Sequence, residues 1–188
     1  MKQLKWFERE FSQLADPRLL PSLLERLAGT PARLEEKLAA MPPEWLTARV
    51  DGTWTIQENA GHLGDLEPLW LGRLEDIAAG KAELRPTDLT NEATTRANHN
   101  ATALPALLGS FRQQRMRTVQ RLQALDEAVL SRSGLHPRMR TPMRPTDLFL
   151  FVAEHDDHHL ARISELARQL GGSHSVGIAS PLTPASHS

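Results

Sequence analysis

A chain of 188 residues, 40% of them hydrophobic, is long enough to bury one sizeable core and short for two. Its 22 basic and 23 acidic residues leave a net charge of −1, which argues against a nucleic-acid binder, since those usually carry a basic excess. No apolar run is long enough to span a bilayer, and the absence of cysteine removes disulfides, thiolate ligands and a cysteine nucleophile.

The opening residues, Met1-Lys-Gln-Leu-Lys-Trp-Phe-Glu, are too charged for a signal peptide, so the cytoplasm is the expected compartment. Leu4, Phe7, Phe11 and Leu14 suit a short packing helix or arm over residues 1–16. A first helical region is expected over roughly Leu19 to Ala40. Gly29-Thr30-Pro31 lies inside it, and Thr30 can cap a helix restarted at Pro31, so this region is one helix with a break or two pieces.

Asp51-Gly52 signals a turn, and Thr55-Ile-Gln-Glu58 fits a capping box that starts a second helix running to about Ala79. Its apolar stripe is Ala60, Leu63, Leu66, Trp70, Leu74 and Ile77, and Pro68 predicts a kink because it cannot donate to the Gly64 carbonyl. Lys81 to Asn100 has the composition of a polar connection. A third helix is expected over about Ala103 to Leu125, with Leu104, Leu108, Phe111 and Leu122 on one face. Ser131 to Met143 forms a loop rich in Arg and Pro, and a fourth helix runs from about Pro145 to Leu170, stopped by Gly171-Gly172. Together these predict an all-α four-helix bundle, one domain over residues 1–170, with 171–188 as a disordered tail.

With no cysteine, any metal must be held by histidine and carboxylate. The fourth helix contains Glu154-His155-Asp156-Asp157-His158-His159. Residues four apart lie one above the other on a helix, so His155 and His159 form a bidentate clamp suited to zinc or nickel. Both fall on the stripe Leu148, Val152, Ile163, Leu166, Leu170, whereas His158 sits toward the flank. His62 lies beside Leu63 and Leu66 and also points inward, with Glu58 four residues before it and Asp65 three after. Either acid can orient its imidazole or add a ligand. Gly61 and Gly64 bracket His62 and permit a close approach. A lone inward histidine is ordinarily a hydrogen-bonded core residue. A buried pair at this spacing is better explained by a shared ion, because each unpartnered imidazole costs ~1–3 kcal/mol.

Asn59-Ala-Gly-His62-Leu-Gly-Asp65-Leu-Glu67, preceded by Trp54-Thr-Ile-Gln-Glu58, resembles the DinB/YfiT-like family. So do Ala153-Glu-His155-Asp-Asp-His158-His159-Leu-Ala-Arg-Ile163 and Gly134-Leu-His136-Pro137. The resemblance covers nearly all the chain to about Gln169. It implies a bundle that is often dimeric and binds a divalent metal, zinc or nickel as a rule, through three histidines matching His62, His155 and His159. It further implies either a low-molecular-weight thiol S-transferase acting on electrophiles or a metal-dependent hydrolase, with a small-molecule substrate. In the hydrolase Glu58 or Asp65 would act as base. The alternative is a non-catalytic metal-binding stress-response protein.

Arg115, on the inward stripe of the third helix, suits either a carboxylate of a thiol cofactor or a snorkelling surface position. Arg132, Arg138, Arg140 and Arg144 with His136 make the third loop basic, with no acid between Glu127 and Asp147. A solvated loop explains this most simply, and an anionic headgroup site is the second reading. His99 is a distant candidate ligand. Trp54 and Trp70 are expected to be core and helix-anchoring residues.

Overall fold

Leu23, Leu27, Leu34 and Leu38 recur at helical spacing and line the buried face of α1 (Leu20–Ala39) in the computed structural model, which describes residues 3–11 and 15–174. No break interrupts α1 at Pro31. An interior proline costs about 3 kcal/mol, partly because the carbonyl four residues earlier loses its donor. Here that carbonyl, on Leu27, accepts from Arg115 Nη1 at 3.4 Å instead, so the helix continues.

A short turn, α2 (Pro43–Leu46), leads to α3 (Ile56–Asp65) and α4 (Glu67–Ala78). The expected capping box is present, with Thr55 Oγ1 accepting from Glu58 N and Glu58 Oε2 from Thr55 N. The expected kink divides the second helix at Leu66, placing Pro68 in the first turn of α4 where its missing N–H is harmless.

The connection expected to be merely polar is structured. It holds α5 (Glu92–Ala97) and a 3₁₀ turn (His99–Ala101), and it buries Leu84. After α6 (Leu104–Gln123) and the single turn α7 (Glu127–Leu130), the Arg- and Pro-rich loop forms an antiparallel ribbon, β1 (Gly134–Leu135) against β2 (Pro142–Met143). The last helix, α8 (Pro145–His174), passes through Gly171 and Gly172 rather than stopping there. Gly171 lies against the Trp45 ring, a contact that extends the packed face beyond Leu170. The rest of the expected tail, 175–188, and Leu14 lie outside the described residues.

The four long elements of the bundle are α1, the α3–α4 pair, α6 and α8, each packed against at least two of the others. Each crosses from one apolar cluster to another through a polar middle. Thr30 lies between Leu27 and Leu34, His62 and Glu67 between Ala60 and Trp70, Arg115 between Phe111 and Val119, and His155 to His159 between Val152 and Ile163. The bundle is thus cut at its waist by a buried polar layer. No helix among the described residues is long and apolar enough to cross a membrane.

Candidate metal centre

His155 and His159 stand one turn apart on α8 with their Nε2 atoms 3.2 Å apart. Helix α3 sets His62 opposite them, its ring centroid 5.4 Å from that of His155 and 4.8 Å from that of His159. One nitrogen from each of the three lies within 4.8 Å of the others, and all three side chains are buried. The structure therefore brings together the three residues singled out by spacing. Half-buried His158 stays outside the cluster and meets Gln3 instead.

Hydrogen bonding fixes which nitrogen two of the three rings can offer. The Thr94 hydroxyl donates its hydrogen to Asp65 Oδ2 at 2.8 Å, so it can only accept from His62 Nδ1, 2.9 Å away. That leaves the lone pair of His62 on Nε2. The Asn59 amide nitrogen donates to the Trp54 and Thr55 carbonyls, which aims its Oδ1 at His159 Nδ1, 3.0 Å away. His159 then also carries its lone pair on Nε2. His155 Nδ1 is buried with no partner among the described residues.

Burial removes the stabilisation that water gives an imidazolium, so it lowers the His62 pKa to about 4 against the opposing pull of Asp65. The same desolvation carries His155 and His159 well below the usual histidine range. All three are neutral at pH 7, the form that binds metal. The residues fit a divalent cation, because three buried neutral imidazoles converge, two of them with the lone pair on Nε2, and an all-nitrogen set suits zinc or nickel.

Trp54 lies 4.7 Å from the His62 ring, Trp6 meets His155 edge-on at 5.0 Å, and Trp70 does so at 5.8 Å. These rings wall a cavity of about 210 Å³ beside the histidines. Trp54 and Trp70 thus both line the site; Trp70 is also part of the core as expected, whereas half-buried Trp54 belongs to neither apolar cluster. Trp6 was not singled out by periodicity, since it falls off the Leu4, Phe7, Phe11 and Leu14 spacing read in its arm.

Two acids expected at His62 are placed elsewhere. Glu58 takes Arg49 and Asn100 on Oε1 and the Thr55 amide on Oε2, so it serves the helix start and does not line the cavity. Asp65 reaches His62 only through Thr94, while its Oδ2 also meets His99 Nε2 at 2.8 Å. His99 is therefore a buttress behind the three-histidine cluster rather than part of it. Gly61 makes this possible, because a Cβ there would collide with the His99 ring. A Cβ at Gly64 would meet Phe111 of α6 only at ordinary contact distance, so the close approach depends on Gly61 and not on Gly64.

Arg115 neither snorkels nor faces the cavity. It is fully buried, with Nε bonded to Glu67 Oε1 at 2.8 Å, Nη2 to Asp156 Oδ1 at 3.0 Å and Nη1 to Asp156 Oδ2. Thr118 donates to Glu67 and Thr30 to Asp156. With both carboxylates paired to it, the guanidinium has no reason to reach water and no donor left for a ligand.

A family model described as the DinB superfamily matches residues 26–163 of the chain. Among curated proteins, YfiT of Bacillus subtilis (strain 168), provisionally named a metal-dependent hydrolase, is 26% identical over 153 residues, covering 80% of this chain and 85% of its own. The solved structure of YfiT from Bacillus subtilis, described as a four-helix bundle of unusual topology, superposes with a TM-score of 0.72 at 24% identity, covering 87% of this chain and 94% of that one.

Proposed function

Because the chain belongs to the DinB superfamily, we propose that it is a metal-dependent enzyme acting on a small molecule, with a zinc or nickel ion held by His62, His155 and His159. The convergence of three buried neutral imidazoles on the wall of a cavity carries this reading. When bound, the ion would supply a Lewis acid that acidifies water or a thiol.

The chain's own residues do the rest. Thr94 and Asn59 hold two of the rings in one orientation and one tautomer. Asp65 is a positioning residue behind Thr94. Trp6, Trp54 and Trp70 keep water from the histidines on the cavity side, which strengthens every electrostatic contact inside.

Hydrolysis and transfer of a low-molecular-weight thiol to an electrophile both suit such a centre. The name of YfiT supports the first. The lining supports the second, because among the described residues its one carboxylate, Asp88, gives its oxygens to Thr90 and Glu92. No free carboxylate base stands at the histidines, and a thiol cosubstrate brings its own nucleophile.

Elemental analysis of the wild type and of His62→Ala, His155→Ala and His159→Ala tests the centre. A near-stoichiometric divalent metal is expected in the wild type, with most of it lost in each variant; unchanged content in all three would sink the site. Metal-loaded protein is then offered ester and amide panels, and separately thiols with epoxide electrophiles. Chelation that lowers the melting temperature while neither panel turns over would leave a non-catalytic metal-binding stress protein.

A further inference from the structure

The far end of the same cavity holds a second buried arginine in the opposite situation to Arg115. Arg73, on α4, is 1% exposed and has no carboxylate partner among the described residues. Its Nε donates to the Arg85 carbonyl at 3.1 Å, its Nη1 meets His136 Nε2 at 3.0 Å, and its Nη2 is buried with no partner among the described residues. Asp76, three residues on, stabilises the cation from a distance but gives it no hydrogen bond, because both Asp76 oxygens are taken by Lys81 and Arg85, which bring two positive charges of their own.

His136 compounds the imbalance. Its Nδ1 faces the backbone N–H groups of Arg138 and Met139 at 3.3 and 3.2 Å, while its Nε2 faces a guanidinium that can only donate. A neutral imidazole has one acceptor nitrogen, so whichever nitrogen bears the proton, a donor is left facing a donor. An oxygen anion accepting from Arg73 and from His136 Nε2–H removes the conflict and neutralises the buried charge at once.

At the rim the basic ribbon adds one more cation. Arg132 is occupied by the Ala78 carbonyl, Arg140 by Glu83 and Arg144 by Asp147. Arg138 is exposed, lines the cavity and lies 5.0 Å over the Phe7 ring. The Trp70 indole separates this end from the metal ligands, 5.6 Å from the Arg73 guanidinium on one side and 5.8 Å from the His155 ring on the other.

We infer that Arg73 and His136, with Arg138 at the rim, bind a carboxylate or phosphate group of the substrate or thiol cosubstrate, whose reacting atom reaches the histidines across Trp70. This rests on the cavity being the reaction site. It selects small anionic compounds over neutral ones.

Intrinsic tryptophan fluorescence reads the site directly, with sodium acetate, inorganic phosphate and, as the uncharged control, acetamide titrated at constant ionic strength into the full chain before and after chelation. A saturable change with acetate, phosphate or both is expected, present in chelated protein and absent with acetamide; the stronger of the two identifies the anion. Arg73→Met should weaken binding about tenfold or more, the loss of a charge-assisted pair, and Arg138→Met a few-fold. Metal content should be unchanged in both. Equal responses to acetamide and the anions, or no response in the wild type, would overturn the inference. So would binding unaffected by both substitutions. Arg138 is exposed, so its variant decides the matter should Arg73→Met not fold. His62→Ala that loses metal while keeping anion binding separates the failure of one reading from the failure of the other.

Discussion

Two polar clusters share the waist of this bundle, and they differ in how completely they are satisfied. Around Arg115 every donor finds an acceptor inside the protein: the guanidinium gives to Glu67, Asp156 and the Leu27 carbonyl, and the Thr118 and Thr30 hydroxyls give to the same two carboxylates. Around the cavity His155 Nδ1 and Arg73 Nη2 are left over, and His136 faces donors on both sides. Burial is equally deep in both, so burial alone does not distinguish a structural charge network from a site. What distinguishes them is whether the partners are already present. A closed network holds helices in place; an open one has reserved its hydrogen-bonding capacity for something that comes from outside.

The largest effect should come from opening the closed cluster. Arg115→Leu strands Glu67 and Asp156 as buried carboxylates, and a loss of about 3–5 kcal/mol in urea unfolding is expected. A loss under ~1 kcal/mol would mean the two clusters are not different in kind.

Comparable in size is the response of metal-free protein to acid. His62 and His136 both have folded pKa values lowered to about 4 by burial, against about 6.5 when unfolded. Between those values the unfolded chain binds the protons that the folded one refuses, so stability is full above pH 6.5 and falls as the pH drops toward 4. Each group contributes up to roughly 3 kcal/mol of that fall. Glu67, raised by burial, works the other way and trims it. Thermal melts of chelated protein from pH 7.5 to 4.5 check this, and a flat profile would refute it. Bound metal should raise stability across this window and carry the fall on to lower pH, because it holds the histidines unprotonated in the folded state.

The smallest effect is the most diagnostic, because its sign is reversed. His155→Leu in metal-free protein removes an unsatisfied buried nitrogen whose burial costs ~1–3 kcal/mol. Stability should rise or stay level, by up to about 1 kcal/mol, while metal binding is lost. A destabilisation like that of Arg115→Leu would show that His155 is a structural residue.

The contrast also explains what could be read from sequence. The four long helices, the capping box, the kink at Pro68 and the inward placing of His62, His155 and His159 all follow from local periodicity, because each depends on residues within a turn or two. Thr94 and Asn59 as orienters of the rings did not follow. Thr94 lies 32 residues from His62, and Asn59 lies 100 residues from His159, in segments whose pairing only the folded chain creates. The unbroken helix at Pro31 was hidden for the same reason, since the donor that replaces its missing N–H lies 88 residues from Leu27. Arg115 and Arg73 look alike as letters; only their partners tell them apart.

His155 and Asp156 are consecutive residues, yet one belongs to the open cluster and the other to the closed one. On a helix they point about 100° apart. Helix α8 therefore has a single rotational setting at which both are served, and the grip of Arg115 on Asp156 acts as a key that locks it. An insertion or deletion of one residue within α8 would turn the lower half of the helix by that same angle and unmake both clusters together. The histidine cluster proposed to hold the metal is indexed, in effect, by a salt bridge that never touches it.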